Sequence, residues 1–375
     1  MKKRPLGKSG IEITPLGFGA MRLPEKQEGD KSVIHMDKAV ELLQYGFQRG
    51  INYVDTAYFY NGGMSEVAVG KAIKGWRDRV YLSSKSPGHL LKKRGDYRRV
   101  LEEQLQRLQE DNLDFYHFHG IGYQNWLDLD AKTGWIKDAQ DAQAEGLFKY
   151  MSFSFHSAPD DIKKLADTGL FTSLLCQYNL LDRANEQAMA YAHNKGLGVM
   201  IMGPVGGGRI AGFPEKLQRE LNLPVGNNVE MALRFVLANP HVDCALSGMG
   251  TKAMVDENIS YAGNAAPLSA EEIEKINGLM VKLKKMADLY CTGCKYCLPC
   301  PEGIEIPAIF ELTNYYKVYG IKEHAMDTYA QYGVNPWLPK VKADACTKCG
   351  QCEERCPQHI EIRKQLEESH SLLCR

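Results

Sequence analysis

The chain has 375 residues, of which 25% are charged and 44% are hydrophobic, and its formal net charge is zero. This length allows one large domain and a smaller one, and the balanced charge argues against a nucleic-acid or anionic-membrane partner. No apolar run approaches the roughly 18 residues of a membrane span, and none follows the basic residues 1–5 as it would in a secretory signal. We therefore expect a cytoplasmic protein.

Hydrophobic periodicity predicts a regular series of strands and helices. Residues 3–14 are predicted as a hairpin and residues 15–19 as a first strand, and the next helix has apolar residues from Met36 to Phe47. Further strands are predicted at 52–54, 80–84, 113–118, 148–154, 173–178, 197–202 and 242–246. Helices are predicted at 65–74, 97–108, 134–145, 159–167, 184–195, 229–238 and 252–262.

Alternating strands and helices require parallel pairing, which an open doubly wound sheet or a closed barrel could satisfy. The count of eight strand–helix units favours the barrel. The Gly17-Phe18-Gly19 segment of the first strand also fails to continue into a dinucleotide-binding fingerprint. We predict an α/β protein with a (β/α)8 TIM barrel over residues 1–266. Over residues 267–375 we predict a small α-helical, ferredoxin-like domain that opens with a helix over 268–289.

Four side chains with acid–base chemistry follow three neighbouring predicted strands. Asp55 ends one strand, Tyr60 lies in the turn after it, and Lys85 and His119 follow the next two strands. Catalytic groups of a barrel lie at these carboxyl ends, so we expect the four side chains to meet. Singly, each has an ordinary interpretation as an exposed lysine, a core tyrosine or a hydrogen-bonded histidine. We interpret His117, two residues earlier on the same strand face, as structural.

The combination suits the reduction of a carbonyl group. Hydride addition produces an alkoxide that needs a proton, and a tyrosine with its ordinary pKa of about 10 is a weak acid at neutral pH. A Lys85 ammonium group would lower the pKa of Tyr60, and Asp55 would hold Lys85 in place. His119 could donate a hydrogen bond to the carbonyl oxygen and orient it. We therefore predict Tyr60 as the general acid.

These residues carry a resemblance to the aldo-keto reductases over about residues 3–262. The matching segments are Val54-Asp55-Thr56-Ala57-x-x-Tyr60, Lys85 after a strand, and Asp114-Phe115-Tyr116-x-x-His119. The resemblance implies an enzyme with a barrel fold, a nicotinamide cofactor and a small-molecule carbonyl substrate.

The resemblance also implies cofactor contacts after the later strands. Ser154, Gln177 and Asn179 match where the family holds the nicotinamide carboxamide. The glycine turn after the seventh strand would approach the pyrophosphate, although a flexible turn explains those glycines equally well. Another segment resembles the family's adenosine-phosphate site. The residues assigned to these two parts are Gly206, Gly207 and Gly208 in the turn, and Gly250, Thr251, Glu257 and Asn258 in the segment.

Two positions depart from the family pattern. Met202 followed by Gly203 stands where the family often stacks an aromatic ring on the nicotinamide. Gly248 and Met254 replace the basic residues that often clamp a 2′-phosphate, and only Lys252 is nearby. The choice between NADPH and NADH therefore stays open.

Eight of the eleven cysteines lie in two runs after residue 290. The second run has the spacing of bacterial ferredoxins and ends in Cys-Pro, and the first is one residue shorter before its last cysteine. We predict two 4Fe–4S clusters, with the fourth thiolate of each exchanged between the runs. One cluster would take Cys291, Cys294, Cys297 and Cys356, and the other Cys346, Cys349, Cys352 and Cys300. Two structural zinc sites are the alternative.

The cysteine runs also open an internal repeat. The segment Cys300-Pro301-Glu302-Gly303-Ile304-Glu305-Ile306 mirrors Cys356-Pro357-Gln358-His359-Ile360-Glu361-Ile362, and each leads into a predicted helix. A subgroup of proteins similar to aldo-keto reductases carries such a C-terminal domain.

Electron counting separates three functional hypotheses. Nicotinamide delivers two electrons as hydride, whereas iron–sulfur clusters carry one electron at a time. The first hypothesis is a nicotinamide-dependent carbonyl reductase whose clusters serve redox coupling, sensing or structure. The second is a reductase fed by a ferredoxin or another electron-transfer protein, with a flavin as one mediator. The third is a non-catalytic electron-transfer subunit, against which the intact set of Asp55, Tyr60, Lys85 and His119 argues.

Overall fold

The computed structural model describes residues 1–29, 31–213, 221–263, 267–285, 291, 295–356 and 360–375. The chain forms two compact units. The first comprises Met1–Gly207 and Val229–Leu268, and the second comprises Gly208–Asn228 and Ser269–Arg375. Among the described residues, no helix combines the length and the apolar character needed to cross a membrane.

The first unit contains a closed barrel of eight parallel strands, which confirms the predicted TIM-barrel fold. Around the barrel the eight strands follow their order in the chain, and the last pairs with the first to close it. Their bounds are β3 Leu16–Gly19, β6 Tyr53–Asp55, β7 Tyr81–Ser86, β8 Leu113–Phe118, β9 Phe148–Phe155, β10 Ser173–Gln177, β11 Gly198–Met202 and β12 Cys244–Ser247. Alternate side chains of each strand face the barrel interior.

Helices connect the barrel strands in the predicted order. They are Met36–Gln48, Met64–Ile73, Asp96–Leu108, Tyr123–Thr133, Trp135–Ala144, Asp160–Asp167, Glu186–Lys195, Asn228–Ala238 and Lys252–Gly263. The predicted helix at 134–145 is the second of a pair, and the helix Tyr123–Thr133 was not predicted. Only Trp126 and Thr133 are buried in that first helix, so its apolar periodicity is weak.

A short antiparallel hairpin closes the bottom of the barrel. Strands β1 (Arg4–Pro5) and β2 (Glu12–Ile13) pair as predicted for residues 3–14. The hairpin side chains Leu6, Ile11 and Ile13 pack into one buried cluster with inward-facing strand residues, namely Tyr53, Phe115, Leu175, Met200, Cys244 and Leu246. Because this end is filled with apolar side chains, the polar residues further along the same strands face the opposite end.

A second hairpin, β4 (Glu25–Glu28) with β5 (Lys31–Ile34), follows the first barrel strand. The sequence analysis did not predict it. Every residue of β4 is exposed, so the strand lacks the apolar alternation by which strands are recognised.

The second unit is helical, as predicted. Its helices are Ala270–Lys285, Ile306–Lys317, Lys322–Ala330, Gln351–Glu354 and Ile362–Leu373. Each half of the internal repeat leads into a helix, and Thr313 Oγ1 of one repeat helix donates to Ser369 Oγ of the other at 2.7 Å. The last residues of the helix predicted over 268–289 lie outside the described residues.

The segment Gly208–Asn228, a few residues after β11, belongs to this second unit. The Arg209 guanidinium donates to the Tyr315 hydroxyl at 2.5 Å. The Phe213 ring stacks on Tyr319 with a centroid distance of 6.2 Å and an interplanar angle of 9°. These contacts anchor the segment on the helix Ile306–Lys317, which follows the first cysteine run.

Candidate active site

The barrel brings together the four side chains that the sequence analysis selected. Asp55 is the last residue of β6, and Tyr60 opens the short turn Tyr60–Gly63. Lys85 lies within β7, one residue before its end, where the prediction placed it just after the strand. His119 follows β8 directly, and its backbone N–H donates to the Ser86 carbonyl at 3.0 Å.

The Lys85 ammonium group is the centre of the arrangement. It donates to Asp55 Oδ2 at 2.6 Å, to the Thr56 carbonyl at 2.7 Å and to the Tyr60 hydroxyl at 3.2 Å. Ser83 Oγ donates to the other oxygen of Asp55 at 3.0 Å. Lys85 is only 1% exposed, so these acceptors replace the water that the ion loses on burial.

Burial and charge act in opposite directions on Lys85 and Tyr60. Burial opposes the charged form of Lys85, yet Asp55 and Tyr60 together raise the pKa of the lysine. Burial raises the pKa of Tyr60 and outweighs the opposing effect of Lys85. Lys85 acts to lower the pKa of Tyr60, as predicted, but the sequence analysis left out desolvation of the phenol, and burial outweighs the effect of the lysine. At neutral pH the phenol holds the proton it would donate.

His119 and Tyr60 face each other across the site. Their ring centroids lie 6.4 Å apart and the ring planes are nearly perpendicular, at 83°. Burial, followed by the charge of Lys85, lowers the pKa of His119 from 6.5 to about 3. The imidazole is thus neutral at neutral pH and keeps one N–H for donation.

His117 differs from His119, in keeping with its structural interpretation. It is fully buried, and its Nε2 lies 3.4 Å from the hydroxyl of Tyr53 in the apolar cluster. Burial lowers its pKa well below 6.5, so this imidazole is also uncharged.

The predicted carboxamide contacts lie at the carboxyl ends of the fifth and sixth barrel strands, with Ser154 and Gln177 inside the strands and Asn179 just after the sixth. Ser154 Oγ accepts the Gly120 N–H at 2.8 Å. The Asn179 amide donates to the Gly203 carbonyl at 2.9 Å, and its oxygen accepts the backbone N–H groups of Leu181 and Asp182. Asn179 therefore already serves the local loop structure. Gln177 and Met202 are partly exposed at the ends of β10 and β11, which pair there.

The glycine turn after β11 borders an arginine that sequence reasoning missed. Gly206, Gly207 and Gly208 have φ values of 59°, 69° and 95°, in the left-handed region that disfavours other residues. Arg22 donates to the Gly207 carbonyl at 2.5 Å, and a Cβ on Gly207 would stand 3.0 Å from its guanidinium group. A Cβ on Gly248, after β12, would also contact the Arg22 side chain.

Arg22 thus joins the loops after the seventh and eighth barrel strands, where barrels commonly bind phosphate. The sequence did contain a signal for this role of Arg22, because the residue follows the first barrel strand, whose carboxyl end lies at the same edge of the barrel.

The remaining predicted nucleotide residues surround the start of the helix Lys252–Gly263. Thr251 Oγ1 accepts the Met254 N–H at 3.2 Å and caps this helix. The Asn258 amide is buried and donates to Ser247 Oγ at 3.0 Å. Glu257 is exposed, and no atom lies within 4 Å of the place where a Cβ on Gly250 would stand. The backbone at Gly250 is consequently open to a ligand.

The second unit contains a small cavity lined by cysteines of both runs, namely Cys297, Cys300, Cys346, Cys349 and Cys352. Four of these five cysteines form one of the two predicted ligand sets, namely Cys300, Cys346, Cys349 and Cys352. Cys291 and Cys356 are half-buried elsewhere in the runs, and Cys294 lies outside the described residues. Within the described part of the chain, no three His, Cys, Asp or Glu side chains are grouped closely enough for a single metal ion.

Fold and site together define an oxidoreductase of the (β/α)8-barrel class. The family model described as the Aldo/keto reductase family matches residues 15–224, and that of the 4Fe-4S dicluster domain matches residues 290–361. The chain belongs to the aldo/keto reductase family. Both the recognition of the family with its iron–sulfur domain and the prediction of an enzyme are confirmed.

Known relatives resemble the barrel region. The chain is 28% identical to the uncharacterized oxidoreductase YqkF of Bacillus subtilis over 74% of its own length and 95% of that protein. It is 28% identical to the NADH-specific methylglyoxal reductase of Escherichia coli, over 69% of this chain and 93% of that enzyme. The holo form of aldo-keto reductase AKR11C1 from Bacillus halodurans has a TM-score of 0.63 at 28% identity, covering 74% of this chain and 96% of that structure.

Proposed function

We propose that the protein reduces a small aldehyde or ketone to an alcohol with a nicotinamide nucleotide, and that Tyr60 is the general acid. The observation that carries this proposal is the hydrogen-bonded row of Asp55, Lys85 and Tyr60 at the carboxyl ends of the strands. His119 faces Tyr60 across the same opening. The relative named a methylglyoxal reductase supports a carbonyl substrate.

The chain supplies the proton side of this reaction, and a bound nicotinamide would supply hydride. The neutral His119 donates a hydrogen bond that orients the carbonyl oxygen. Tyr60 passes its proton to the oxygen as negative charge develops there. The phenolate left behind lies 3.2 Å from the Lys85 ammonium group, which stabilises it. Asp55 and the Thr56 carbonyl keep that ammonium group charged and aimed at Tyr60.

The described loops fit a dinucleotide. Ser154 and Gln177 would hold the carboxamide. Arg22, which donates to the Gly207 carbonyl, would hold the pyrophosphate together with the turn Gly206–Gly208. Gly250, Thr251 and Asn258 would border the adenosine end, with Glu257 exposed beside them. The glycines support this assignment, because a residue without a side chain lets a ligand approach the backbone closely.

We further propose that NADH is used at least as well as NADPH. Lys252 is the nearby basic residue for a 2′-phosphate, and its ammonium group is 2.5 Å from Glu41 Oε1. This ion pair offsets the charge that would favour a 2′-phosphate. The name of the NADH-specific relative agrees with this preference.

In the second unit we propose two 4Fe–4S clusters with the exchanged ligands predicted from the sequence. The cavity lined by Cys300 together with Cys346, Cys349 and Cys352 supports one of the two sets. Cys291, Cys294, Cys297 and Cys356 would hold the other cluster. Bound clusters would supply one-electron transfer for redox coupling or sensing.

The same cavity, together with Met202 at the nicotinamide position, favours a second candidate function. In it, a ferredoxin or another electron-transfer protein feeds single electrons through the clusters to the barrel, directly or through a flavin. Tyr60 would still protonate the product.

One experiment separates the two candidates. The anaerobically purified protein is titrated with NADH and NADPH while cluster absorbance and aldehyde reduction are followed together. Aldehyde reduction with the clusters still oxidised supports the nicotinamide enzyme. Reduction that occurs only with an added electron-transfer protein supports the second candidate and contradicts the first.

Replacing Tyr60 tests the assigned acid. Tyr60→Phe removes the proton donor but keeps the ring, so we expect kcat to fall by at least about 100-fold, the lower end of the range for general acid catalysis. Tyr191→Phe is the matched control, because the Tyr191 hydroxyl makes a solvent-exposed hydrogen bond to Asp167. Turnover that persists in Tyr60→Phe at the level of the control would disprove the assignment.

A further inference from the structure

A buried carboxylate lies behind the strand that carries Lys85, outside the set of four side chains. Glu66 is 0% exposed on the helix Met64–Ile73. It accepts hydrogen bonds from Ser84 Oγ at 2.6 Å, from Gln104 Nε2 at 2.5 Å and from Arg107 Nη1 at 3.3 Å. Burying the Glu66 carboxylate costs free energy, which these three donors offset, whereas Arg107 itself stays partly exposed.

Gln104 connects this carboxylate to the strand of Lys85. Its Nε2 amide lies 2.8 Å from Ser84 Oγ and 3.2 Å from the carbonyl oxygen of Lys85. Its oxygen accepts the hydroxyl of Tyr116, in β8, at 2.6 Å. The outer helix Asp96–Leu108 therefore holds β7 at the residue that carries the ammonium group.

Arg107, one helical turn further along, connects the same carboxylate to the turn of Tyr60. Its guanidinium donates to the Tyr58 carbonyl at 3.2 Å and lies over the Tyr58 ring, 4.1 Å from the centroid. The Tyr58 hydroxyl in turn donates to Glu103 at 2.8 Å. On the other side of Tyr60, a Cβ on Gly63 would stand 2.8 Å from Arg107 Nη1.

We propose that Glu66, Gln104 and Arg107 are positioning residues that hold the turn of Tyr60 against the strand of Lys85. We call these three residues the outer clamp. The inference rests on the proposed role of Tyr60. Within the clamp, Gln104 contacts Ser84 and Lys85, and Arg107 donates to the Tyr58 carbonyl. Glu66 accepts hydrogen bonds from both Gln104 and Arg107 and so connects them. The clamp thereby sets the distance between the phenol and the ammonium group from outside the barrel.

The test compares two clamp variants with a matched control in the full-length protein. Arg107→Met removes the guanidinium group, and Glu66→Gln keeps the size and an acceptor for Ser84 but removes the charge. Arg77→Met is the control. Arg77 is also a partly exposed arginine paired with a buried carboxylate, with 22% side-chain exposure against 25% for Arg107. Its partner Asp114 accepts the Leu82 N–H near the amino end of β7.

The first measurement does not depend on activity. Tyrosine is labelled with 13C at the ring carbon that bears the hydroxyl, and the Tyr60 signal is identified by its loss in Tyr60→Phe. We expect the titration midpoint of Tyr60 to move by at least about half a pH unit in both clamp variants and to stay unchanged in Arg77→Met. A midpoint that is unchanged in the clamp variants overturns the proposal.

The second measurement is the split between kcat and KM with an aldehyde substrate. Because misplacement of a catalytic group acts on the transition state, we expect kcat to fall about tenfold while KM for the nucleotide stays within about twofold. Equal kcat losses in Arg107→Met and Arg77→Met would show a general structural effect and overturn the proposal. If Arg107→Met does not fold, Glu66→Gln decides. If the proposed function itself is wrong, the protein without any substitution will not reduce the aldehyde, and this result is distinct from an effect limited to the clamp variants.

Discussion

At the scale of single residues, the site depends on a buried cation with three acceptors. The lysine stays charged because Asp55, the Thr56 carbonyl and the Tyr60 hydroxyl surround its ammonium group. All three acceptors come from β6 and the turn that follows it. A short stretch of sequence therefore both balances the charge of Lys85 and carries the proposed proton donor, Tyr60.

His119 provides a pH-dependent test at the same scale. Its pKa is lowered from 6.5 to about 3, so between these values the unfolded chain binds a proton here that the folded chain does not. The folded state thus loses stability as pH falls through this range, by up to about 1.4 kcal/mol per pH unit.

We expect His119→Asn to lose stability less steeply than the unchanged protein between about pH 6 and pH 4, which lie within that window. Urea unfolding followed by tryptophan fluorescence at several pH values measures the difference, because Trp126 and Trp135 are buried in the barrel unit. Parallel pH profiles for the two proteins would show that His119 is not the titrating group.

At the scale of elements, the two ends of the barrel differ in polarity. The apolar hairpin of β1 and β2 fills one end, and the polar residues at the carboxyl ends of the strands occupy the other. Asn52 joins the hairpin to the barrel. Its side chain accepts the Thr14 N–H at 2.7 Å and donates to the Glu12 carbonyl at 2.9 Å.

Asn52→Ala should therefore destabilise the barrel without changing its chemistry. It leaves the buried N–H of Thr14 without its acceptor, at a cost of about 2 kcal/mol, and Tyr60 and Lys85 stay in place. Urea unfolding and kcat together measure this. Gln44→Ala is the control, because Gln44 makes one long hydrogen bond of 3.4 Å to the Ala72 carbonyl. A loss no larger than that of the control would show that Asn52 does not anchor the hairpin.

At the scale of the whole molecule, the chain supplies the second unit from two separate segments. Residues Gly208–Asn228 join it between two stretches that belong to the barrel unit. Arg209 and Phe213 contact Tyr315 and Tyr319 of the helix after the first cysteine run. Arg209 and Phe213 therefore hold the described part of the segment Gly208–Asn228 on that helix.

Cysteine substitutions test the proposed exchange of cluster ligands. If Cys300 and Cys346 hold one cluster, Cys300→Ser, Cys346→Ser and the double variant should each lose about four iron atoms per chain. Adding Cys291→Ser should remove a second set of about four. Iron analysis and electron paramagnetic resonance of the reduced proteins measure this. Greater iron loss in the Cys300→Ser, Cys346→Ser double variant than in either single one would contradict the exchange, and zinc in place of iron would contradict the clusters.

Much of the fold followed from local patterns. Eight apolar strands separated by amphipathic helices were recognisable because their side chains face a buried interior. The exposed strand β4 and the helix Tyr123–Thr133 were not, because few of their residues are buried. Arg22 was missed for a different reason, since its role depends on Gly207, which is 185 positions away in sequence.

The sequence by itself determined which acid–base side chains come together, because a parallel barrel places the residues at the carboxyl ends of its strands at one end. Asp55, Tyr60, Lys85 and His119 follow from that rule, as do the spacings of the cysteine runs. Only the tertiary structure decided the balance of energies and the supporting contacts. Burial of the phenol outweighs Lys85 in raising the pKa of Tyr60. Likewise, Glu66 contacts Gln104 and Arg107 only because helix packing brings separate parts of the chain together.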